Sequence, residues 1–350
     1  MISSLEELPP SLAASVSAEE KNYITEKQRR GLLPFAVTEH FASLAGPEKD
    51  DPIRRQFFPD PREALCDPFA LDDPLGEYRY RAAPGLVRQY KDRALLLAAS
   101  TCAGYCRHCF RRFWLSAPPP IADLRPAFAY LAAHTEIREL LVSGGDPLTL
   151  DNAALEDLFR RLRSARPGLM LRVCTRVPIT EPSRLDNNTI ALFANFHPLR
   201  VVVHINHPRE LSAPARTNLA ACVDAGIPVL VQTVLLRGIN DDPELLARLF
   251  NSCLELGLSP YYLFQLDLAP GTAHFRVPLK KGIELYGVLG RLISGPCLPI
   301  YAVDLPGGGG KIRLHENVIA GRKNTPKGYV YILKDNEGKE WYYPVNSDNR

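Results

Sequence analysis

Hydrophobic and polar positions follow two different rules along this chain, and the change falls near residue 90. Before it, apolar residues are scattered among Pro, Asp and Arg. Helix-length stretches occur there only near Ala18–Gly31 and Pro52–Phe58, followed by the loop-like run DPFALDDPLGEYRYRAAPG. This pattern predicts an N-terminal extension, residues 1–90, that wraps the remainder. From Ala94 onward, short apolar runs of strand length alternate with amphipathic stretches of helix length. The runs are ALLLAAS, ELLVSGGD, LRVCTR, VVVHINH, PVLVQTVLL, PYYLFQLD and IYAVDLPG. Helices are predicted between them near Asp123–His134, Asn152–Ser164, Ser183–Phe196, Pro214–Ala225, Pro243–Leu256 and Lys280–Ile293. Near-continuous apolar strands alternating with helices predict a parallel α/β sheet buried on both faces. Right-handed crossovers curl such a run into a full or partial barrel, here over residues 91–311. Residues 312–350 contain GYVYILKDNEGKEWYYPV, whose alternation around Asp335–Gly338 predicts a β-hairpin packed beside the barrel and carrying no chemistry.

The polar, reactive residues gather at the ends of the predicted strands. The first run leads into TCAGYCRHCFRRF and the second into Ser143, Gly144, Gly145 and Asp146. The third ends at Arg176. The fourth carries His204, Asn206 and His207, the fifth Gln232, and the sixth Asp267. The seventh carries Asp304 and leads through Gly307–Gly310 to Lys311. In parallel α/β barrels the C-terminal strand ends share one face, so these seven clusters are expected to converge on one mouth.

Composition narrows the class. The chain has 350 residues, 46% hydrophobic and 23% charged, which is ordinary for a globular protein. A formal net charge of +3 gives no strong pull toward nucleic acid. No apolar run approaches the ~20 residues of a membrane helix, so no membrane partner is expected. The N-terminus lacks the basic start and apolar core of a signal peptide. Eight cysteines without an export signal point to a reducing, cytoplasmic compartment, where thiols serve metals or catalysis more often than disulfides.

Three of those cysteines, Cys102, Cys106 and Cys109, lie within eight residues. Three thiolates spaced C-x3-C-x2-C can hold three irons of a 4Fe-4S cubane and leave the fourth iron for an outside ligand. A structural zinc site is the alternative, and it needs a fourth ligand. His108 is the candidate, but it adjoins Cys109 and would have to fold back into a very tight chelate. The cysteine loop after the first strand, followed by SGGD after the second, resembles the radical S-adenosylmethionine superfamily. The resemblance implies that the open iron chelates the methionine moiety and that the reduced cluster cleaves it to a 5′-deoxyadenosyl radical. It also implies that Ser143, Gly144, Gly145 and Asp146 receive the methionine amino group.

VDLPGGGGKIRLH is the second informative stretch. A phosphate loop would need a Ser or Thr after the lysine, and Ile312 and Arg313 stand there instead. A turn that delivers the Lys311 amine into a cavity, to carry pyridoxal phosphate, fits better. With PGLVRQYKDRALLL, CAGYCRHCFRRF, LVSGGDPL, HINHPREL, QTVLLRGINDD and PYYLFQLDLAPGTAHF, the sequence from Asp51 to Lys311 resembles the lysine 2,3-aminomutase family. The resemblance implies an isomerase that moves the α-amino group of L-lysine to the β-carbon. It implies pyridoxal phosphate on Lys311 with Arg93 and Tyr90 nearby, and S-adenosylmethionine beside His207 and Gln232. It places the substrate carboxylate on Arg111 and its ε-ammonium on Asp267 and Asp304. It also implies a one-electron reductant such as flavodoxin or ferredoxin, and it is compatible with a homo-oligomer.

Three departures accompany the resemblance. Gln89 stands where family members carry arginine, and Phe264 where they carry tyrosine, both near pyridoxal phosphate. No cysteine follows Cys297, so the C-terminal zinc cluster of clostridial-type enzymes has no counterpart in this sequence. Alternative readings are a β-lysine-forming enzyme for translation-factor modification, a mutase for another amino acid, and an iron–sulfur or zinc protein without catalysis. The two aspartates argue against an acidic substrate.

Overall fold

The computed structural model describes residues 1–29, 32–116 and 123–345. Its centre is a ten-stranded sheet in sequential order β1 to β10. The strands are β1 (Arg81–Ala83), β2 (Leu86–Val87), β3 (Arg93–Ala99), β4 (Glu139–Gly144), β5 (Met170–Thr175), β6 (Leu199–His204), β7 (Val229–Leu235), β8 (Ser259–Gln265), β9 (Ile300–Leu305) and β10 (Gly310–Arg313). From β3 to β9 every pairing is parallel. These seven strands are the seven apolar runs of the sequence, and they form a partial (β/α) barrel.

Each strand buries one face under helices and turns the other inward. In β7, Val229, Val231, Thr233 and Leu235 are buried, while Leu230, Gln232 and Val234 remain partly exposed. The crossover helices lie where the hydrophobic period puts them: Arg125–Ala133, Asn152–Ala165, Asn187–Asn195, Ala213–Asp224, Pro243–Glu255 and Leu279–Leu292. Four start on a side-chain cap, with Asp151, Asp186, Ser212 and Asp242 each accepting from the amide three residues on. The third helix begins four residues later than Ser183 because Asp186 caps it and Pro182–Arg184 forms a separate 3-10 turn.

The N-terminal helix runs Ala18–Arg29, and the expected end at Gly31 lies outside the described residues. The short helix expected near Pro52–Phe58 is Arg54–Phe57. The extension does more than wrap: β1 and β2 join the sheet edge as antiparallel strands beside β3. Two elements differ from expectation at the other end. The glycine run is not wholly a turn, because Gly310 already begins β10, which pairs antiparallel with β9 and sets Lys311 opposite Asp304. The terminal hairpin, β12 (Gly328–Lys334) and β13 (Glu340–Pro344), gains a third strand, β11 (Gly321–Thr325). The β11 sequence GRKNT has no apolar alternation to announce it.

The open seam of the barrel is crossed by side chains. The Lys311 amide donates to Tyr90 Oη at 2.9 Å, and Gln89 Nε2 donates to the Gly308 carbonyl at 3.1 Å. Among the described residues no helix is long and apolar enough to cross a membrane.

Candidate active site

The cysteine loop leaves the C-terminal end of β3 and rests on the N-terminal extension. Tyr105 N donates to the Ala36 carbonyl at 2.9 Å and Arg107 N to the Gln56 carbonyl at 2.8 Å. The Arg107 side chain is fully buried. It grips Glu63 with both arms, Nε to Oε1 at 2.8 Å and Nη2 to Oε2 at 2.6 Å. Arg112 also pairs with Glu63 and donates to the Arg107 carbonyl at 2.7 Å. A carboxylate placed between two buried guanidiniums thus pins both flanks of the loop. Glu63→Ala leaves both cations without that partner, and a loss of about 3–5 kcal/mol is expected in a denaturant titration. An unchanged midpoint would show that the loop is held by its backbone contacts alone.

All three cysteines are free and partly exposed. Burial and the neighbouring Cys106 push Cys109 up to about 11, and burial pushes Cys102 well above the ordinary thiol range. One cation faces them directly: Arg176 Nη1 lies 2.7 Å from Cys106 Sγ, while its Nη2 donates to Gln56 Oε1 at 2.6 Å. Burial works against that charge, but Cys106 and Glu210 hold the guanidinium more firmly protonated than usual. A thiolate-bound anionic cluster suits this setting. The alternative zinc ligand does not: His108 is buried, turns to Asn206 Nδ2 at 3.2 Å and packs edge-on to His204. Burial pulls both imidazoles down, His204 to about 3, so they are neutral groups of a packed network. Among the described residues no three His, Cys, Asp or Glu side chains converge on the position of a single metal ion.

The SGGD motif ends β4 and turns out of it, against the start of the cysteine loop. Gly145 N donates to the Ala99 carbonyl and Asp146 N to the Thr101 carbonyl, each at 2.7 Å. A Cβ on Gly144 would meet the Ala99 carbonyl at 2.3 Å, and one on Gly145 the Thr101 carbonyl at 2.1 Å. The glycines therefore permit close backbone approach within the chain itself. Asp146 is committed inward: its carboxylate accepts from Leu148 N, Thr175 Oγ1 and Arg176 N, tying β4 to β5. Gln232 stands opposite His204 in the β6–β7 register. His207 caps the following turn, its Nδ1 accepting from Arg209 N at 3.2 Å.

At the far side of the mouth the chain's own charged groups pair in two places. Arg111 forms a fork on Glu77, Nε to Oε2 at 3.0 Å and Nη2 to Oε1 at 2.5 Å, and reaches Ser143 Oγ at 3.2 Å. Lys311 Nζ lies 2.6 Å from Asp304 Oδ2, and 4.0 Å from the centre of the Phe264 ring. Asp267 belongs to the same cluster. Burial first, then the Asp304 charge, push its carboxyl up to about 8, against the pull of Lys311 and Arg111. Tyr90 supports the Lys311 backbone, and Arg93 stacks on the Tyr90 ring at 3.8 Å. The structure thus brings Arg111, Ser143, Gly144, Asp267, Asp304, Lys311, Tyr90 and Arg93 to one mouth beside the cysteine loop. Sequence reasoning missed Glu77, Glu63, Gln56 and Tyr262. Gln56 lies in the short helix Arg54–Phe57, Glu63 and Glu77 in single 3-10 turns and Tyr262 mid-strand, and only their nonlocal partners reveal their roles.

A seven-stranded parallel partial barrel with a three-cysteine loop at its mouth is the arrangement expected of a radical S-adenosylmethionine enzyme. The chain matches no family model. A Treponema pallidum protein is 46% identical over 265 residues, 75% of each chain. The L-lysine 2,3-aminomutase of Clostridium subterminale is 34% identical over 342 residues, 94% of this chain and 81% of that one. The glutamate 2,3-aminomutase of Clostridioides difficile is 32% identical over 330 residues, 93% and 76% of the two chains. Among solved structures, Streptococcus suis SuiB bound to S-adenosylmethionine covers 61% of this chain and 50% of its own, at TM-score 0.44 and 11% identity, too distant to add to the argument. The chain belongs to the lysine 2,3-aminomutase family, and it is an isomerase.

Proposed function

We propose that the protein moves the amino group of free L-lysine between its α- and β-carbons. The observation that carries this reading is how the chain fills its own mouth. A carboxylate, Glu77, occupies the Arg111 fork, and a primary ammonium, Lys311 Nζ, occupies Asp304 beside Asp267. A carboxylate at one end and a distal ammonium at the other are the two ends of lysine. An acidic substrate would bring a third negative charge to Asp267 and Asp304, which the unfavourable ionisation of Asp267 already opposes.

In this reading Cys102, Cys106 and Cys109 hold a 4Fe-4S cluster. S-adenosylmethionine lies against Ser143, Gly144, Gly145, His207 and Gln232, while Asp146 holds the turn from behind through Thr175 and Arg176. Pyridoxal phosphate is carried by Lys311 beside Tyr90 and Arg93. When bound, the cluster with S-adenosylmethionine supplies an adenosyl radical, and pyridoxal phosphate supplies a conjugated system for the migrating nitrogen. The chain contributes position and dryness. Arg111 fixes the carboxylate, the aspartates fix the far ammonium, and the β-carbon is thereby held between the cysteine loop and Lys311. Phe264 and Tyr262 present apolar faces to the Lys311 amine. A one-electron reductant is the further partner this chemistry needs.

The deciding experiment is an anaerobic assay of the reconstituted protein with labelled lysine and with labelled glutamate. β-Lysine is the expected product. Formation of β-glutamate instead, or neither product despite S-adenosylmethionine cleavage, would reject the lysine assignment. Borohydride trapping in added pyridoxal phosphate is expected to label Lys311 on peptide mapping. A label confined to another lysine would remove Lys311 from the site.

A further inference from the structure

Around Lys311 and Arg313 of β10 lies a cavity of about 400 Å3 lined by Arg93, Lys311, Arg313, His315, Lys334 and Asn336 among others. No acidic side chain lines it. Two of its cations lack the partners that surface cations usually find. Arg313 and Lys334 make no ion pair and no side-chain hydrogen bond to any described residue, whereas Lys311 is held by Asp304 and Arg93 by Asp92. Arg313 and Lys334 add two charges beside Lys311 and Arg93, with Glu340 across the strand pair from Lys334 but forming no ion pair with it, and a bound anion relieves the repulsion that remains.

The geometry relates this cavity to Lys311. Arg313 follows Lys311 by two residues in β10 and so projects from the same face of the strand. The two side chains start about 7 Å apart, roughly the span of one substituted aromatic ring. Lys334, at the end of β12, and Asn336, in the turn after it, reach the same cavity from the terminal hairpin. That hairpin is fastened to the site: a Cβ on Gly309 would meet the Trp341 ring at 2.5 Å. Gln89, outside the cavity lining, donates to the Gly308 carbonyl and offers no charge.

We propose that this cavity is a phosphate site, and that Arg313 and Lys334, with Arg93, hold the phosphate of the pyridoxal cofactor in this chain. The proposal rests on the assignment of that cofactor to Lys311. A planar guanidinium and a mobile ammonium are suited to a phosphate dianion, and Asn336 and His315 add polar contacts at the rim. The terminal hairpin, expected to carry no chemistry, thereby becomes one wall of a cofactor site, and the cation missing at Gln89 is supplied from β10 and β12.

The test compares pyridoxal phosphate with pyridoxal, which lacks the phosphate, by equilibrium titration of the Lys311 adduct band in wild type and in Arg313→Ala/Lys334→Ala. Both side chains are exposed, so the double variant is expected to keep the wild-type melting profile. Its Kd for pyridoxal phosphate is expected to rise about 10- to 100-fold, with the Kd for pyridoxal unchanged. Inorganic phosphate is expected to compete with pyridoxal phosphate in the wild type only. Arg313→Lys, which keeps the charge, is expected to recover part of the affinity. Equal weakening of both ligands, or no change in either, would overturn the phosphate site while leaving Lys311 as the attachment point. Absence of any Lys311 label in the wild type would sink the cofactor assignment, and this inference with it.

Discussion

Alanine at Cys102, Cys106 or Cys109 is expected to abolish both the iron–sulfur absorbance and all S-adenosylmethionine cleavage. The loop offers three thiols and no substitute. His108 is turned into the Asn206 network, and the remaining cysteines lie outside the loop, with Cys222, Cys253 and Cys297 buried elsewhere. Two thiolates cannot hold a cubane with one iron open, so loss of one ligand removes the whole radical-generating step. The loop itself is expected to survive, because its shape comes from Arg107, Arg112 and Glu63 and from backbone bonds to Ala36 and Gln56. Circular dichroism of each variant should therefore match the wild type while cleavage falls to background. A Cys106→Ala protein that still cleaves S-adenosylmethionine at the wild-type rate would refute the cluster assignment.

The barrel was legible in the sequence because its signal is local. A run such as VVVHINH is apolar on both faces of a strand, and only a parallel sheet under helices buries both. The cysteine spacing, SGGD and PGGGGK were legible for a similar reason, since each motif is contiguous. What stayed hidden was nonlocal. Glu63 sits in the 3-10 turn Pro61–Ala64, where its local signal is a capping box with Asp60, and nothing local shows that it pairs with two arginines more than forty residues on. Glu77 opens the 3-10 turn Glu77–Tyr80, and its local signal is the left-handed glycine before it, with Gly76 at φ +66°. Its pairing with Arg111 follows from how the extension folds back over the mouth, because Gly76 and Tyr80 pack on Gly307 and Gly308. The terminal hairpin was placed correctly, but its contact with the Lys311 cavity depends on where β10 sends the chain, and the glycine run concealed β10.

Asp304→Asn and Asp267→Asn are each expected to lower kcat/KM for lysine by about 2–4 kcal/mol, roughly 30- to 900-fold, while leaving S-adenosylmethionine cleavage intact. In the proposed reading the distal ammonium sheds water to enter the barrel, and the two carboxylates replace that water. The wild-type pH dependence carries the same signature. The Asp267 carboxyl, pushed up to about 8 by burial and by Asp304, holds its proton below that value. A cationic substrate favours the ionised form, so binding expels the proton. KM for lysine is therefore expected to fall up to about tenfold per unit as pH rises from 6 towards 8, then to level off. Stability changes in the opposite sense. An acid whose folded pKa is raised binds its proton more tightly when folded, so its contribution weakens as pH rises from its unfolded value towards 8. Asp304→Asn removes the neighbouring charge but not the burial, so the KM inflection should move to lower pH without returning to the ordinary aspartate range. Leucine, which has no distal cation, should show neither the pH slope nor sensitivity to these substitutions. A lysine KM that is flat from pH 6 to 8 and unchanged in both variants would assign the two aspartates to structure and leave the far end of the substrate unread.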